Sequence, residues 1–101
     1  MHAIIEANRK ALEELCRQYH VRSLSLFGSA LGDEFEPGRS DVDFAVQFEP
    51  LAPGEWLRTY FGLVWALERL FGTKVDLTEL DAVRNPYFRN ELMRTRQPIY
   101  G

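Results

Sequence analysis

The sequence predicts a single small α/β domain, residues 1–101, in which helices flank a mixed sheet of three or four strands. Two observations support this prediction. Apolar residues recur at helical spacing in three segments, whereas three other segments are short apolar runs or alternate apolar with polar residues. The two kinds of segment interchange along the chain, which is typical of helices packed on a sheet. A chain of 101 residues is long enough for one such domain.

The first half of the chain holds one predicted helix and two predicted strands. Residues 3–19 form an amphipathic helix, because their apolar positions recur every three to four residues. Residues 21–27 form a strand that ends in a tight turn into a short helix at 28–32. A polar loop with Pro and Gly occupies 33–39. The second strand covers 41–48, with its bulky apolar residues on one face.

The second half holds two predicted helices, a third strand and a possible edge strand. The long helix over 55–71 ends at Gly72, which is placed as a C-terminal cap. The dipeptide Asn85-Pro86 is typical of an N-cap followed by proline in the first helical position. The remaining predicted elements are a strand over 74–79, a helix from Pro86 to about Thr95, and a short edge strand at 98–100, where proline is tolerated.

The long predicted helix is apolar around more of its circumference than one packed face requires. At 100° per residue its apolar side chains fill an arc of about 220°, against a stripe of about 100° for an ordinary surface helix. Two interpretations stay open. The helix is covered on two sides by the core, or Trp65 or Leu70 marks an interface with another protein, where aromatic residues are enriched.

Composition excludes several classes of protein. The formal net charge is -3, which argues against a general nucleic-acid binder, so we expect no direct nucleic-acid partner. No apolar run approaches the roughly 20 residues of a membrane span, and Glu6, Arg9 and Lys10 interrupt any signal peptide. We therefore expect a cytoplasmic protein without membrane contact. The single cysteine, Cys16, falls on the apolar stripe of the first helix and is predicted to be a core residue.

Acidic residues on two predicted strands indicate a metal site. Asp41 and Asp43 lie two positions apart, so on a strand both carboxylates point to the same face. Such paired charges repel, and a cation between them would offset that cost; carboxylate oxygens favour Mg²⁺, Ca²⁺ or Mn²⁺. Asp76, on the polar face of the next strand, is the candidate third carboxylate. We expect Asp41, Asp43 and Asp76 to be both catalytic residues and ligands of two divalent ions.

The Gly28-Ser29 turn indicates a phosphate site beside these acids. It opens a predicted helix, whose first N–H groups are free, and glycine lets a phosphate approach closely. Alone, a Gly-Ser pair is usually a turn and an Asp-x-Asp pair usually a solvated loop. Together with the third acid, they favour a metal–nucleotide site that performs transfer chemistry on a nucleoside triphosphate.

These residues resemble the minimal nucleotidyltransferase family, a branch of the DNA polymerase β-like nucleotidyltransferases. The resemblance runs through Phe27-Gly28-Ser29, eleven residues on through Asp41-Val42-Asp43, and then through Lys74-Val75-Asp76-Leu77. It continues in the tail Arg84-Asn85-Pro86-Tyr87 and the terminal Ile99-Tyr100, so it covers nearly the whole chain. The resemblance implies a polymerase β-like core, Mg²⁺ as cofactor, ATP or another triphosphate as substrate, and Gly28, Ser29 and Ser40 as nucleotide-binding residues.

The resemblance also implies a partner. Many short members of this family are antitoxins, encoded beside an α-helical HEPN-type toxin, to which such relatives transfer AMP on a tyrosine. Many relatives have Arg or Tyr after Gly-Ser, where this chain has Ala30-Leu31. Arg22, Arg39 and Lys74 become the candidates to face the triphosphate, against the alternative that each is an ordinary surface charge. Two alternatives stay open: a binding module that neutralises a toxin by occlusion, and a small-molecule nucleotidyltransferase. A homo-oligomer is also possible.

Overall fold

A computed structural model describes residues 3–28 and 41–101, which form a four-stranded mixed sheet flanked by helices. This is the predicted fold class. Among the described residues, none of the helices combines the length and apolarity needed to cross a lipid bilayer. The helices and strands, in chain order, are α1 Ala3–Ala7, α2 Arg9–Gln18, β1 Val21–Phe27, β2 Val42–Phe48, α3 Trp56–Phe71, β3 Val75–Glu79, α4 Pro86–Thr95 and β4 Gln97–Tyr100.

The sheet has the strand order β3-β2-β1-β4. Strand β1 runs antiparallel to both β2 and β4, whereas β2 and β3 are parallel, so the sheet is mixed as predicted. The parallel pair is joined by α3, in agreement with the rule that parallel neighbours need a long crossover. Strand β4 lies at an edge, where Pro98, which has no backbone N–H to donate, is tolerated.

The helix predicted over 3–19 is interrupted. Helix α1 ends at Ala7, a turn follows at Asn8, and α2 begins at Arg9. The Asn8 side chain donates a hydrogen bond to the carbonyl oxygen of Ile4 at 2.8 Å, and such side-chain competition with the helical ladder is typical of asparagine. Apolar periodicity continues across the break, with Ile5 and Leu12 both buried, so hydrophobic spacing gave no sign of it.

Two layers of side chains cover the two faces of the sheet. On the first face, α2 and α3 pack over the bulky apolar residues of β1, β2 and β3, and Cys16 is fully buried there, as predicted. The members of this core contributed by β2 are Val42, Phe44, Val46 and Phe48, the face predicted from alternation. On the second face, Ala45 forms a smaller cluster with Leu80 and Leu92, against which Phe27 and Val83 pack. The second face is the one that carries the acidic residues.

The predicted caps of the helices are present. Gly72 ends α3 in the left-handed conformation at φ 67°, and its N–H bonds to the carbonyl of Glu68 at 2.8 Å. The Asn85 side chain accepts hydrogen bonds from the N–H groups of Tyr87 and Phe88, and Pro86 takes the first position of α4. A 3₁₀ turn at Leu80–Ala82, which the sequence did not indicate, links β3 to α4.

Side chains from the helices bond to both edge strands. The Tyr60 hydroxyl of α3 donates to the carbonyl oxygen of Leu77 in β3. Trp56, also in α3, donates from Nε1 to Oε2 of Glu79, two residues after Leu77 in β3, at 2.6 Å. At the other edge, Arg9 Nη1 donates to the carbonyl oxygen of Ile99 in β4 at 3.3 Å.

Helix α3 presents an apolar ridge to solvent. Leu57, Phe61 and Trp65, spaced four residues apart, are 60%, 43% and 61% exposed, and we call them the α3 ridge. The ridge borders a groove of about 880 Å³ that Tyr19 and Arg58 also line. Of the two interpretations of the wide apolar arc, exposure favours the second, because Trp65 lies on the side opposite the core while Leu70 is half-buried. Side chains this large in one exposed row are typical of a protein-interaction surface.

Candidate active site

Three strand ends meet at one corner of the sheet. The last residue of β1, Phe27, pairs with Asp43 near the start of β2, and Asp43 pairs with Asp76 near the start of β3. Residues that are level in neighbouring strands lie on the same face, with the strands about 4.8 Å apart. The structure therefore places Asp43 and Asp76 side by side on the second face of the sheet. The alternation of apolar and polar residues in the sequence predicted the polar face for Asp76 but not its neighbour.

Asp41 completes this corner from the residue before β2. The Val42 N–H bonds to the carbonyl oxygen of Lys74 at 3.0 Å, which holds the segment entering β2 beside the segment entering β3. Because Asp41 and Asp43 are two positions apart, extended backbone directs both toward one face. Asp41 and Asp76 are exposed, whereas Asp43 is half-buried. The corner thus collects three carboxylates that differ in their access to water.

Gly28 lies directly against Asp43. It follows β1 with φ of +80°, a left-handed conformation that favours glycine. A Cβ atom at this position would stand 3.2 Å from Cγ of Asp43 and would overlap its Oδ2 atom. The absence of a side chain at residue 28 therefore leaves the room that the Asp43 carboxylate occupies. The sequence motif indicated that Gly28 belongs to the site, but not that its contact is with an acid.

The carboxylates affect one another electrostatically. Burial raises the pKa of Asp43, and the negative charges of Asp76 and then Asp41 raise it further. Burial likewise raises the pKa of the half-exposed Tyr60, with smaller contributions from Asp76 and Glu79. Asp43 therefore carries a charge that its surroundings disfavour, and a cation placed at the corner would offset that cost.

The donor set fits a hard divalent cation, although the side chains are not gathered around one. Within residues 3–28 and 41–101, no three His, Cys, Asp or Glu side chains stand close enough to hold a metal ion in the arrangement shown. The carboxylates are nevertheless near enough for two of them to shift the pKa of the third. Three carboxylates at one corner are the oxygen ligands that Mg²⁺ and Mn²⁺ prefer. Metal ligation by Asp41, Asp43 and Asp76 stays a prediction.

Several predicted features lie outside the described residues. These are Ser29, Ser40 and Arg39, together with the predicted short helix beyond Gly28 and the loop at 33–39. Of the candidates to face a triphosphate, Arg22 lies near the opposite end of β1 from Gly28, where it forms an ion pair with Glu49 at 3.8 Å. Arg22 is therefore a surface charge away from the acidic corner, which removes it from the candidates to face the triphosphate.

A polar network behind the corner was missed by sequence reasoning. On the second face of the sheet, Ser23 Oγ donates to Gln47 Oε1 at 2.8 Å, and Gln47 Nε2 donates to Asp81 Oδ1 at 3.1 Å. The buried Ser25 Oγ accepts from Arg96 Nη1 at 3.3 Å. These bonds tie the 3₁₀ turn and the end of α4 to the strands that carry the site. The available signal was the alternation of serine with apolar residues in β1.

Comparison with known proteins agrees with this architecture. The family model described as nucleotidyltransferase domain matches residues 8–99. The chain is 33% identical over 90 residues to a Methanocaldococcus jannaschii protein named as a putative protein adenylyltransferase, over 88% of this chain and 84% of the relative.

Two solved structures share the fold. One, described as a putative minimal nucleotidyltransferase, matches with a TM-score of 0.76 and 29% identity over 97% of this chain and 96% of the other. A second is an MNT antitoxin in complex with a tri-AMPylated HEPN toxin of Shewanella oneidensis. It matches with a TM-score of 0.66 and 19% identity over 95% of this chain and 71% of the other, a likeness of fold alone. The family model spans nearly all of the sequence, including all three aspartates and Gly28, and the chain therefore belongs to the nucleotidyltransferase domain family.

Proposed function

We propose that residues 1–101 act as one catalytic domain that transfers AMP from ATP to a hydroxyl group on a partner protein, with Mg²⁺ as cofactor. We further propose that the partner is a HEPN-type helical toxin encoded nearby, that its acceptor is a tyrosine, and that the chain acts as its antitoxin in the cytoplasm. The chain is a nucleotidyltransferase by family; the donor, the metal and the acceptor are the proposal.

One observation carries the catalytic part of this proposal. The register of the parallel pair puts Asp43 level with Asp76, and Gly28 leaves the room that the Asp43 carboxylate fills. Strands accept neighbouring like charges on one face only at a cost in stability. A fold that keeps this arrangement where the ends of three strands meet is better explained by ligand binding than by stability.

The transfer reaction balances with ATP and a hydroxyl as its only reactants. The acceptor oxygen forms a bond to the α-phosphorus, the bond from that phosphorus to the bridging oxygen of the β-phosphate breaks, and pyrophosphate leaves. The acceptor hydroxyl loses its proton to solvent. The exposed Asp76 would accept a hydrogen bond from that hydroxyl and so orient it toward the α-phosphorus, which lowers the entropic cost of the attack.

The residues of the corner divide the remaining work. Asp41 and Asp43 would hold both divalent ions and Asp76 the one near the acceptor; when bound, such ions neutralise phosphate charge and activate the attacking oxygen. Gly28 lets the nucleotide approach the backbone closely. Ser29 and Ser40, which precede and follow the polar loop at 33–39, are proposed to donate hydrogen bonds to the phosphates.

A protein acceptor is supported by the α3 ridge. Nucleotides and small acceptors do not require a row of exposed Leu57, Phe61 and Trp65, whereas a protein surface does. The aromatic side chains of α3 also extend to strand β3, because Trp56 stacks on Tyr60 at 5.0 Å and both side chains donate hydrogen bonds to β3. A protein docked along α3 would contact the ridge and reach the edge strand β3, which carries Asp76 on its other face.

Mass spectrometry of the partner tests the proposal. The purified chain is mixed with the HEPN-type protein, ATP and Mg²⁺, and the partner is weighed before and after. We expect a gain of one or more AMP units, located on tyrosine by fragmentation, and no gain when EDTA replaces Mg²⁺. A partner that is silenced in a stable complex without any gain in mass would support occlusion instead. A gain of AMP on a small molecule alone would support the third alternative.

Two variants distinguish chemistry from binding. Asp41→Asn removes one carboxylate of the exposed part of the corner and should abolish AMP transfer while the complex with the partner still forms. Asp81→Asn is the matched control, because it makes the same chemical change in the 3₁₀ turn and keeps the oxygen that accepts from Gln47. Equal transfer by the two variants would contradict the catalytic assignment.

A further inference from the structure

We propose that Lys74 binds the β- and γ-phosphates of the nucleoside triphosphate and stabilises the departing pyrophosphate. This inference rests on the proposed function, since it assigns one more residue to the same site. It adds a cationic group to a corner that otherwise carries only negative side chains among the described residues.

The register of the sheet places Lys74 at this corner. Lys74 immediately precedes β3, and its carbonyl oxygen accepts a hydrogen bond from Val42 N–H at 3.0 Å. Val42 pairs with Val75, so Lys74 stands beside Asp41 across the strand pair. Lys74 is also two positions before Asp76, and alternation gives these two residues the same face. Lys74 therefore neighbours the carboxylates along the strand and across it.

Lys74 is available for a ligand. Its side chain is exposed, and among the described residues it forms no ion pair and no hydrogen bond, even though two carboxylates are close neighbours in the sheet. A lysine ammonium is a compact point charge on a flexible four-carbon stem, and it is a common ligand of phosphate groups. Such a group can reach past the carboxylates to a phosphate chain that the metal site holds.

Two other cations near the second face bind to groups of the fold. Arg96 donates to Ser25 Oγ, and Arg89 donates to the carbonyl oxygen of Leu80, so both arginines fasten α4 to the sheet. Arg22 is paired with Glu49 at the far end of β1. Of the three cations that the sequence offered for the triphosphate, Lys74 is the one that the described structure places at the acidic corner.

The charge balance of the reaction explains why a cation is needed there. A triphosphate brings several negative charges to three carboxylates, and further negative charge develops on the leaving pyrophosphate during transfer. A positive group aimed at the β- and γ-phosphates stabilises that developing charge and also strengthens binding of the triphosphate. Lys74 would contribute little to the binding of AMP, which lacks these two phosphates.

Calorimetric titration with three nucleotides tests the inference. ATP, ADP and AMP are titrated with Mg²⁺ into the wild-type chain and into Lys74→Gln, Lys74→Met, Lys74→Arg and the matched control Lys10→Gln. Lys10 is also exposed and lies on α2, so its substitution makes the same change in net charge away from the corner. We expect Lys74→Gln and Lys74→Met to weaken ATP binding by about tenfold, the size of one hydrogen bond between charged groups. Lys74→Arg should retain most of the affinity, AMP binding should be unchanged in all variants, and Lys10→Gln should match the wild type.

The outcomes separate the inference from the proposed function. If the wild-type chain binds no nucleotide with Mg²⁺, the proposed function fails. If the wild-type chain binds ATP and both neutral variants bind it equally well, the inference about Lys74 is wrong and the proposed function stands. Equal weakening of ATP and AMP would also overturn the inference, because it would show a general effect on the site instead of a contact to the outer phosphates.

Discussion

Substitution of Gly28 by alanine should disable the acidic corner while leaving the fold intact. The new Cβ would overlap Oδ2 of Asp43, so the carboxylate must move away from its position over the end of β1. Because the proposed metal and nucleotide sites share this carboxylate, its displacement should reduce the binding of both ligands. Alanine at residue 28 would also have to adopt φ of +80°.

The expected cost has two parts. An L-residue with a side chain in the left-handed region costs about 1–2 kcal/mol. Moving Asp43 away from its preferred rotamer adds about 0.5–1.5 kcal/mol. Relief of the repulsion between Asp43 and its acidic neighbours would offset a part of the second contribution. We therefore expect Gly28→Ala to lower the free energy of unfolding by about 1.5–3 kcal/mol in total.

Gly54 supplies a matched control for the backbone contribution. It has φ of +84°, nearly that of Gly28, and no heavy atom lies within 4 Å of the position its Cβ would take. Gly54→Ala should therefore show the conformational cost alone, about 1–2 kcal/mol. Urea unfolding measures the stability of both variants, and titration with Mg²⁺ and a non-hydrolysable ATP analogue measures their binding.

The two variants should differ most in binding. We expect Gly54→Ala to bind the analogue as the wild type does, and Gly28→Ala to bind it at least tenfold more weakly. If Gly28→Ala binds as well as Gly54→Ala, then the ligands do not need the Asp43 carboxylate in its position over residue 28, and the reasoning from the Asp43 contact is refuted.

Three further predictions concern other parts of the chain. Asp43→Asn should raise the urea midpoint of unfolding in EDTA above pH 5, since the variant removes a carboxylate whose pKa is raised by burial, Asp76 and Asp41; a lower midpoint would show that the charge is stabilising. Cys16 should resist alkylation of the native protein at pH 8, because burial raises the pKa of its thiol to about 12; rapid labelling without denaturant would contradict its burial. For the same reason the free energy of unfolding should fall as the pH rises above about 9, where the thiol loses its proton in the unfolded chain but keeps it in the folded one. Trp65→Ser should weaken the complex with the partner by about tenfold or more while nucleotide affinity stays unchanged, as measured by surface plasmon resonance and calorimetry; an unaltered complex would exclude the α3 ridge from the interface.

The parts of the fold that follow from local pattern were predictable. Alternation in 42–48 and 75–79 separated a buried face from an acidic one, and the caps at Gly72 and Asn85 were visible as residue types. The break at Asn8 was not predictable from periodicity, because the apolar stripe passes through it without a change of phase. The 3₁₀ turn at Leu80–Ala82 likewise has no marked sequence signal.

The site depended on information that a single sequence does not contain. The three acids were recognisable by spacing, but the register that puts Asp43 level with Asp76 arises from pairing of strands more than 30 residues apart. The contact between Gly28 and Asp43 arises in the same way. The exposure of Trp65 could not be predicted, because the sequence does not show which part of the apolar arc of α3, about 220° wide at 100° per residue, the core covers.

The bonds from helix side chains to the edge strands bear on how this protein meets other chains. An unpaired strand edge is a template for the addition of a foreign strand, which leads to aggregation or to recognition by β-augmentation. Here the Tyr60 hydroxyl occupies an outward carbonyl of β3, and the Arg9 guanidinium occupies one of β4. Pro98 further removes a donor from β4.

These contacts make extension of the sheet by another chain unfavourable on either side, because an incoming strand would first have to displace a phenol or a guanidinium. Contacts through helix faces remain open to a partner, and the α3 ridge is a surface of that kind. Edge-to-edge association would then be hindered while the α3 ridge stays accessible to the proposed partner protein. Tyr60 has a place in both properties, since it closes the β3 edge with its hydroxyl and supports Trp56 and Phe61 with its ring.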